Sequence, residues 1–181
     1  FDTLPVAGKD IYLGLDAELQ AYGEKLLKNK TGSIVAIEPS TGQILAMVTS
    51  PSYDPNELVG RVRGENYKKL LDDSLKPLVN RDTSGIYPPG STFKMVNGLI
   101  VLQSGVVKTN STYPCNGPES QPIRCTHHHN SPVALYEAIE NSCNPYFWET
   151  FKDMFASSRF ASSKEAYQYW YDLVTSFGLG S

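Results

Sequence analysis

Residues 88–94 read Pro-Pro-Gly-Ser-Thr-Phe-Lys. Two prolines and a glycine make a rigid loop that delivers Ser91 to the start of a helix, where backbone N–H groups and the helix dipole favour developing negative charge. Lys94 follows by about one helical turn, so its amine shares a face with the Ser91 hydroxyl. A serine is a weak nucleophile, and a lysine kept neutral by burial can take its proton. The bland alternative is an N-cap serine followed by a surface lysine. The apolar run Phe93, Met95, Val96, Leu99, Ile100 and Leu102 argues against it, because a surface helix would not be so hydrophobic.

Residues 140–145, Glu-Asn-Ser-Cys-Asn-Pro, hold a second pair of polar groups at a junction between helical stretches. Ser142 can relay a proton toward Lys94, and Asn144 can hydrogen-bond a substrate amide; taken alone, the same text reads as a helix C-cap followed by an N-cap. A third group of donors is Cys115, Cys125, His127, His128, His129 and Cys143. Sulfur and imidazole suit tetrahedral zinc in a closed, structural site. No Cys-x-x-Cys pair is present, so a Cys115–Cys125 disulfide or a solvated histidine run stands beside zinc as an alternative. Three cysteines exclude full pairing within the chain.

These residues need elements to carry them. Residues 1–13 read as an extended lead-in, with Ile11-Tyr12-Leu13 as a short strand. Asp16 caps a helix running to about residue 28, with Leu15, Leu19, Tyr22 and Leu26 at helical spacing. Residues 33–37 and 43–48 form a hairpin around Pro39-Ser40-Thr41-Gly42. Residues 50–90, rich in Pro and Gly, are mostly loop with a short helix near 67–71. A helix buried on most sides spans 91–103, 109–132 is irregular, and 133–155 is helical with a break at Asn144-Pro145, the proline sitting in a first turn. A last helix covers 164–177. Lys30-Thr31-Gly32 reads as a helix-terminal lysine with a glycine exit. The class implied is α/β: an antiparallel sheet with the Ser91 helix behind it and helices on both faces.

The chain has 181 residues, 40% of them hydrophobic, and a formal charge of −3, as expected of a globular domain. Its Lys and Arg are scattered, which speaks against nucleic acid as a partner. No apolar run reaches the roughly 20 residues that span a bilayer. Both ends read as cuts, so an anchor or export segment is expected outside the chain.

Together the motifs resemble the transpeptidase domain of class B penicillin-binding proteins, most of all the elongation-type members called penicillin-binding protein 2. The resemblance rests on 32–39 (Gly-Ser-Ile-Val-Ala-Ile-Glu-Pro), Thr41-Gly42, 46–56 (Ala-Met-Val-Thr-Ser-Pro-Ser-Tyr-Asp-Pro-Asn), Asn80-Arg81, 87–94 and 142–147. It implies the penicillin-binding transpeptidase and serine β-lactamase-like fold, incomplete here, with 1–14 as lead-in and 15–181 as the N-terminal part of the domain. It implies Ser91 as nucleophile, Lys94 as general base, and Ser142 and Asn144 as the second motif. The family's third motif, Lys-Thr/Ser-Gly, lies on a later strand. Lys30-Thr31-Gly32 precedes Ser91, so that motif is expected beyond residue 181, and the chain alone is expected to acylate slowly or not at all.

The resemblance further implies a zinc site between the first two motifs, with Cys115, Cys125, His129 and Cys143 as ligands; His129 is chosen because it directly precedes Asn130-Ser131-Pro132. No cofactor is expected for catalysis. The implied activity is D,D-transpeptidation of peptidoglycan stem peptides, blocked by β-lactams. It would take place at the periplasmic face of the bacterial inner membrane, alongside membrane-embedded cell-wall synthesis proteins. The rival readings are a serine β-lactamase or β-lactam sensor, and a non-catalytic zinc-stabilised binding module.

Overall fold

A computed structural model describes residues 6–180. The chain divides into two compact units, the first ending at Tyr87 and the second starting at Pro88.

In the first unit, helix α1 (Ala17–Leu27) begins at Asp16, whose carboxylate accepts from the N–H groups of Glu18 and Leu19 at 2.9 Å. Strands β1 (Gly32–Ile37) and β2 (Ile44–Ser50) pair antiparallel, Val35 opposite Met47, with an irregularity between Ala36 and Ile37. Thr41 Oγ1 accepts from Gln43 N–H at 3.2 Å and closes the turn between them. α1 does not bury the apolar stripe that its spacing suggests: Leu15, Leu19, Tyr22 and Leu26 are exposed. The face turned to the hairpin carries Gln20 and Gly23. Gln20 exchanges two hydrogen bonds with the Met47 backbone, at 2.8 and 3.0 Å, as a neighbouring strand would. A Cβ on Gly23 would lie 2.9 Å from Val48 Cγ2, so glycine is what allows the helix to approach β2 this closely.

The rest of this unit is a 3₁₀ turn at Pro55–Leu58, helix α2 (Arg63–Asp72), longer than expected, and the single helical turn α3 (Arg81–Ser84). Thr49 Oγ1 accepts from the N–H groups of Arg81 and Asp82 and so caps α3. Two readings are corrected here. Ile11-Tyr12-Leu13 is not a strand; the three side chains are exposed and their backbone has no ladder partner among the described residues. The left-handed residue leaving α1 is Asn29 (φ 62°), not Gly32, which opens β1. Lys30 does act as a helix-terminal lysine, its Nζ donating to Leu26 O at 2.7 Å.

In the second unit, a 3₁₀ turn at Gly90–Thr92 runs into α4 (Phe93–Gln103), followed by α5 (Leu135–Glu140), α6 (Asn144–Ala156) and α7 (Ser163–Ser176). α4 is less enclosed than its composition suggests: Gly98, Ile100 and Val101 are buried, whereas Met95 and Leu99 are more than half exposed. Ile100, Val101, Val107, Met154 and Val174 form one core, edged by aromatics of α6 and α7. Trp170 Nε1 donates to Asn97 Oδ1 at 2.9 Å, tying α7 to α4. A second core holds Val133, Leu135, Ala138, Tyr146, Phe147 and all three cysteines. Burying an aliphatic side chain such as Ile100 contributes roughly 2 kcal/mol.

Candidate active site and metal cluster

Gly90 has φ +59°, a conformation that side-chain-bearing residues adopt only at a cost, and it turns the chain from Pro88-Pro89 into the 3₁₀ turn that holds Ser91. Thr92 Oγ1 fastens that turn by donating to Pro89 O at 2.5 Å. Ser91 is exposed. One turn on, Lys94 reaches across to the second motif. Its Nζ donates to Ser142 O at 2.6 Å, Ser142 Oγ at 2.9 Å and Asn144 Oδ1 at 2.5 Å. The Ser91 hydroxyl is not among its partners. Burial holds the Lys94 pKa below the ordinary lysine value, against the opposing pull of Cys143 and Cys125.

The second motif owes its shape to how α5 ends. Cys143 N–H donates to Ala138 O at 2.8 Å and Ser142 N–H to Ile139 O at 3.1 Å, the paired bonds of a Schellman ending. The first residue past the helix cap, the donor of the second bond, must be left-handed, a place glycine usually fills; here it is Ser142, with φ 50°. A side chain in that conformation is strained by about 1 kcal/mol. In return, both the carbonyl and the hydroxyl of Ser142 face Lys94. Pro145 sits in the first turn of α6, where its missing N–H is no loss.

The structure brings together Cys115, Cys125, His129 and Cys143, whose ligand atoms all lie within 4.8 Å of one another. His129 Nε2 is 3.4 Å from both the Cys115 and Cys125 sulfurs. Tetrahedral zinc with bonds of about 2.3 Å to sulfur and 2.0 Å to nitrogen would set such atoms roughly 3.5 Å apart. His129 Nδ1 lies 2.9 Å from Asn130 O. A carbonyl can only accept, so Nδ1 carries the proton and Nε2 is left free to bind a metal. All three cysteines are free and buried. Burial raises the Cys143 thiol to about 12. Burial alone would raise the Cys125 thiol too, but hydrogen bonding at its sulfur, from the His127 N–H foremost, brings it down to about 7. The donor set fits zinc. His127 and His128 are exposed and stand outside the cluster.

Two contributors carried no signal in sequence. Ser120, buried, accepts from Asn116 N–H at 2.8 Å with its hydroxyl 3.7 Å from the Cys115 sulfur. Arg124 contributes its main-chain carbonyl, which accepts from Asn144 Nδ2 at 2.9 Å.

The sequence profile of the family described as penicillin binding protein transpeptidase domain matches residues 32–181. The chain is 37% identical over 156 residues to the peptidoglycan D,D-transpeptidase MrdA of Escherichia coli, an overlap covering 83% of this chain and 25% of that protein. It is 41% identical over 129 residues to the peptidoglycan D,D-transpeptidase PbpA of Mycolicibacterium smegmatis, covering 65% of this chain and 26% of that one. The chain thus spans about a quarter of the length of these curated relatives. The crystal structure of Pseudomonas aeruginosa PBP2 superposes with a TM-score of 0.76 at 35% identity, covering 97% of this chain and 39% of that chain. That of PBPA from Mycobacterium tuberculosis gives 0.75 at 31% identity, covering 93% and 39%. On the profile, the identities and the shared fold, this chain belongs to the penicillin-binding protein transpeptidase domain family, in its class B, PBP2-like branch.

Proposed function

We propose that this chain is the part of a peptidoglycan D,D-transpeptidase that bears the acylated serine, and that the serine is Ser91. The observation that carries the reading is the Lys94 ammonium gripped by Ser142 and Asn144 one helical turn from an exposed serine. In its neutral form, which burial favours, Lys94 takes the Ser91 proton as the oxygen attacks the carbonyl of the penultimate D-Ala of a stem peptide. The proton returns, by way of Ser142, to the amine of the departing D-Ala. The ester on Ser91 is then attacked by the amine of a neighbouring stem, which forms the crosslink and frees the hydroxyl. A β-lactam acylates the same oxygen with opening of its ring, and the ester persists.

Cys115, Cys125, His129 and Cys143 would hold zinc in a closed site, where the metal supplies a structural crosslink and no reaction step. No described helix is long and apolar enough to cross a membrane. For the full-length protein we assign a periplasmic setting on the inner membrane. A Helicobacter pylori PBP2 has been solved in complex with MreC, which supports cell-wall assembly proteins as partners here. The test is labelling of the full-length protein by a fluorescent penicillin: Ser91→Ala is expected to abolish it while leaving thermal unfolding unchanged. Persistent labelling would falsify the assignment.

A further inference from the structure

The Asn144 carboxamide is held at both ends. Its Oδ1 accepts from Lys94 Nζ and its Nδ2 donates to Arg124 O. Rotating the amide by half a turn would set N–H against an ammonium and oxygen against a carbonyl, two encounters of like polarity. The Arg124 carbonyl therefore decides which end of the amide faces Lys94.

What places that carbonyl is the cysteine–histidine cluster. Residues 120–132 contain no helix or strand. Cys125, the next residue, donates its N–H to Gly117 O at 3.1 Å, and its sulfur is 3.4 Å from His129 Nε2. The loop thus grips the second motif through Arg124, whose carbonyl is fixed by the anchoring of the residue that follows it.

We propose that the Arg124 main-chain carbonyl is a positioning group through which the cysteine–histidine loop orients the Asn144 carboxamide, and with it Lys94, for acylation. The kinetic part of this inference rests on the transpeptidase reading; the hydrogen bond does not. The effect of the loop on acylation is transmitted by Asn144, separately from its effect on stability.

The experiment uses full-length protein loaded with zinc, before and after chelation, as native and as Asn144→Ala. Removing the metal is expected to slow acylation by fluorescent penicillin about tenfold or more in the native protein. In Asn144→Ala it should slow it by less than about twofold, because the group that transmits the effect is gone. Thermal stability should fall equally in both. Equal slowing in both backgrounds would overturn the proposal.

A second readout needs no chelated form. In the zinc-loaded protein, one of the two Asn144 side-chain amide protons, identified by NMR from its loss in Asn144→Ala, should exchange slowly with solvent. Fast exchange of both would also overturn the proposal. If the native protein takes up no penicillin at all, the transpeptidase reading fails, and the exchange measurement decides the positioning role by itself.

Discussion

The turn at Gly90–Thr92 and the junction at Ser142–Asn144 each present a serine close to Lys94, but they are built differently. Ser91 stands exposed on a turn made by its own neighbours, Gly90 with φ +59° and Thr92 bonded to Pro89. Ser142 is held left-handed by two backbone bonds from the end of α5, and Asn144 is anchored by a loop 20 residues away. Ser91 is placed by contacts within its own turn, whereas the second motif is placed by contacts from the end of α5 and from the loop that carries Arg124. Hydrogen bonds from distant parts of the unit converge on the second motif and not on the turn that holds Ser91.

The largest effect is expected at the lysine they share. Lys94→Met is expected to slow penicillin acylation by on the order of a thousandfold, as for loss of a general base. A change of less than tenfold would mean that the site is not organised around this amine. The same group sets a pH dependence. Only neutral Lys94 can accept the proton, and burial holds its pKa below the ordinary value of 10.5. The acylation rate should therefore climb with pH and reach half its maximum below that value; a flat profile, or one centred higher, contradicts the assignment.

Next comes the cluster. Chelating the metal, or Cys125→Ala, should lower the unfolding midpoint by about 10 °C, since a structural zinc contributes directly to folding free energy. A midpoint unmoved by chelation, together with no zinc by elemental analysis, would show that the cysteines are only small buried thiols. A finer contrast separates strain from chemistry at Ser142. Both Ser142→Gly and Ser142→Ala remove the hydroxyl and should slow acylation about tenfold or more. The glycine variant should nevertheless be more stable than the alanine one by about 1 kcal/mol, because only glycine is unstrained at φ 50°. Equal stability in denaturant titrations would mean that the left-handed turn is not retained. The smallest effect is expected at Tyr146, fully buried with a hydroxyl that has no partner among the described residues. Tyr146→Phe should leave acylation unchanged and stabilise the fold by up to about 1 kcal/mol.

The hairpin was legible because two short apolar runs flank a turn with Pro39 and Thr41-Gly42, and α6 because Pro145 after Asn144 marks a first turn. The buried face of α1 was not. Apolar spacing points to Leu15, Leu19, Tyr22 and Leu26, but close approach at Gly23 and the strand-like bonds of Gln20 turn the other face inward. Ile11-Tyr12-Leu13 has strand composition without a strand to pair with, and composition carries no information about partners. In the site, residue types pointed to Ser91, Lys94, Ser142 and Asn144 and to a cluster of cysteines and histidines; the choice of His129 within that cluster came from the family resemblance. The left-handed Ser142 and the Arg124 carbonyl stayed hidden, the first because a serine stands where glycine is usual, the second because its contribution is main-chain.

The most direct test is peptide mapping of the full-length protein after exposure to a β-lactam. A covalent adduct on the peptide that carries Ser91, at that residue, is the result expected. An adduct at Ser142, or none in a protein whose zinc and fold are intact, would contradict the account at its centre.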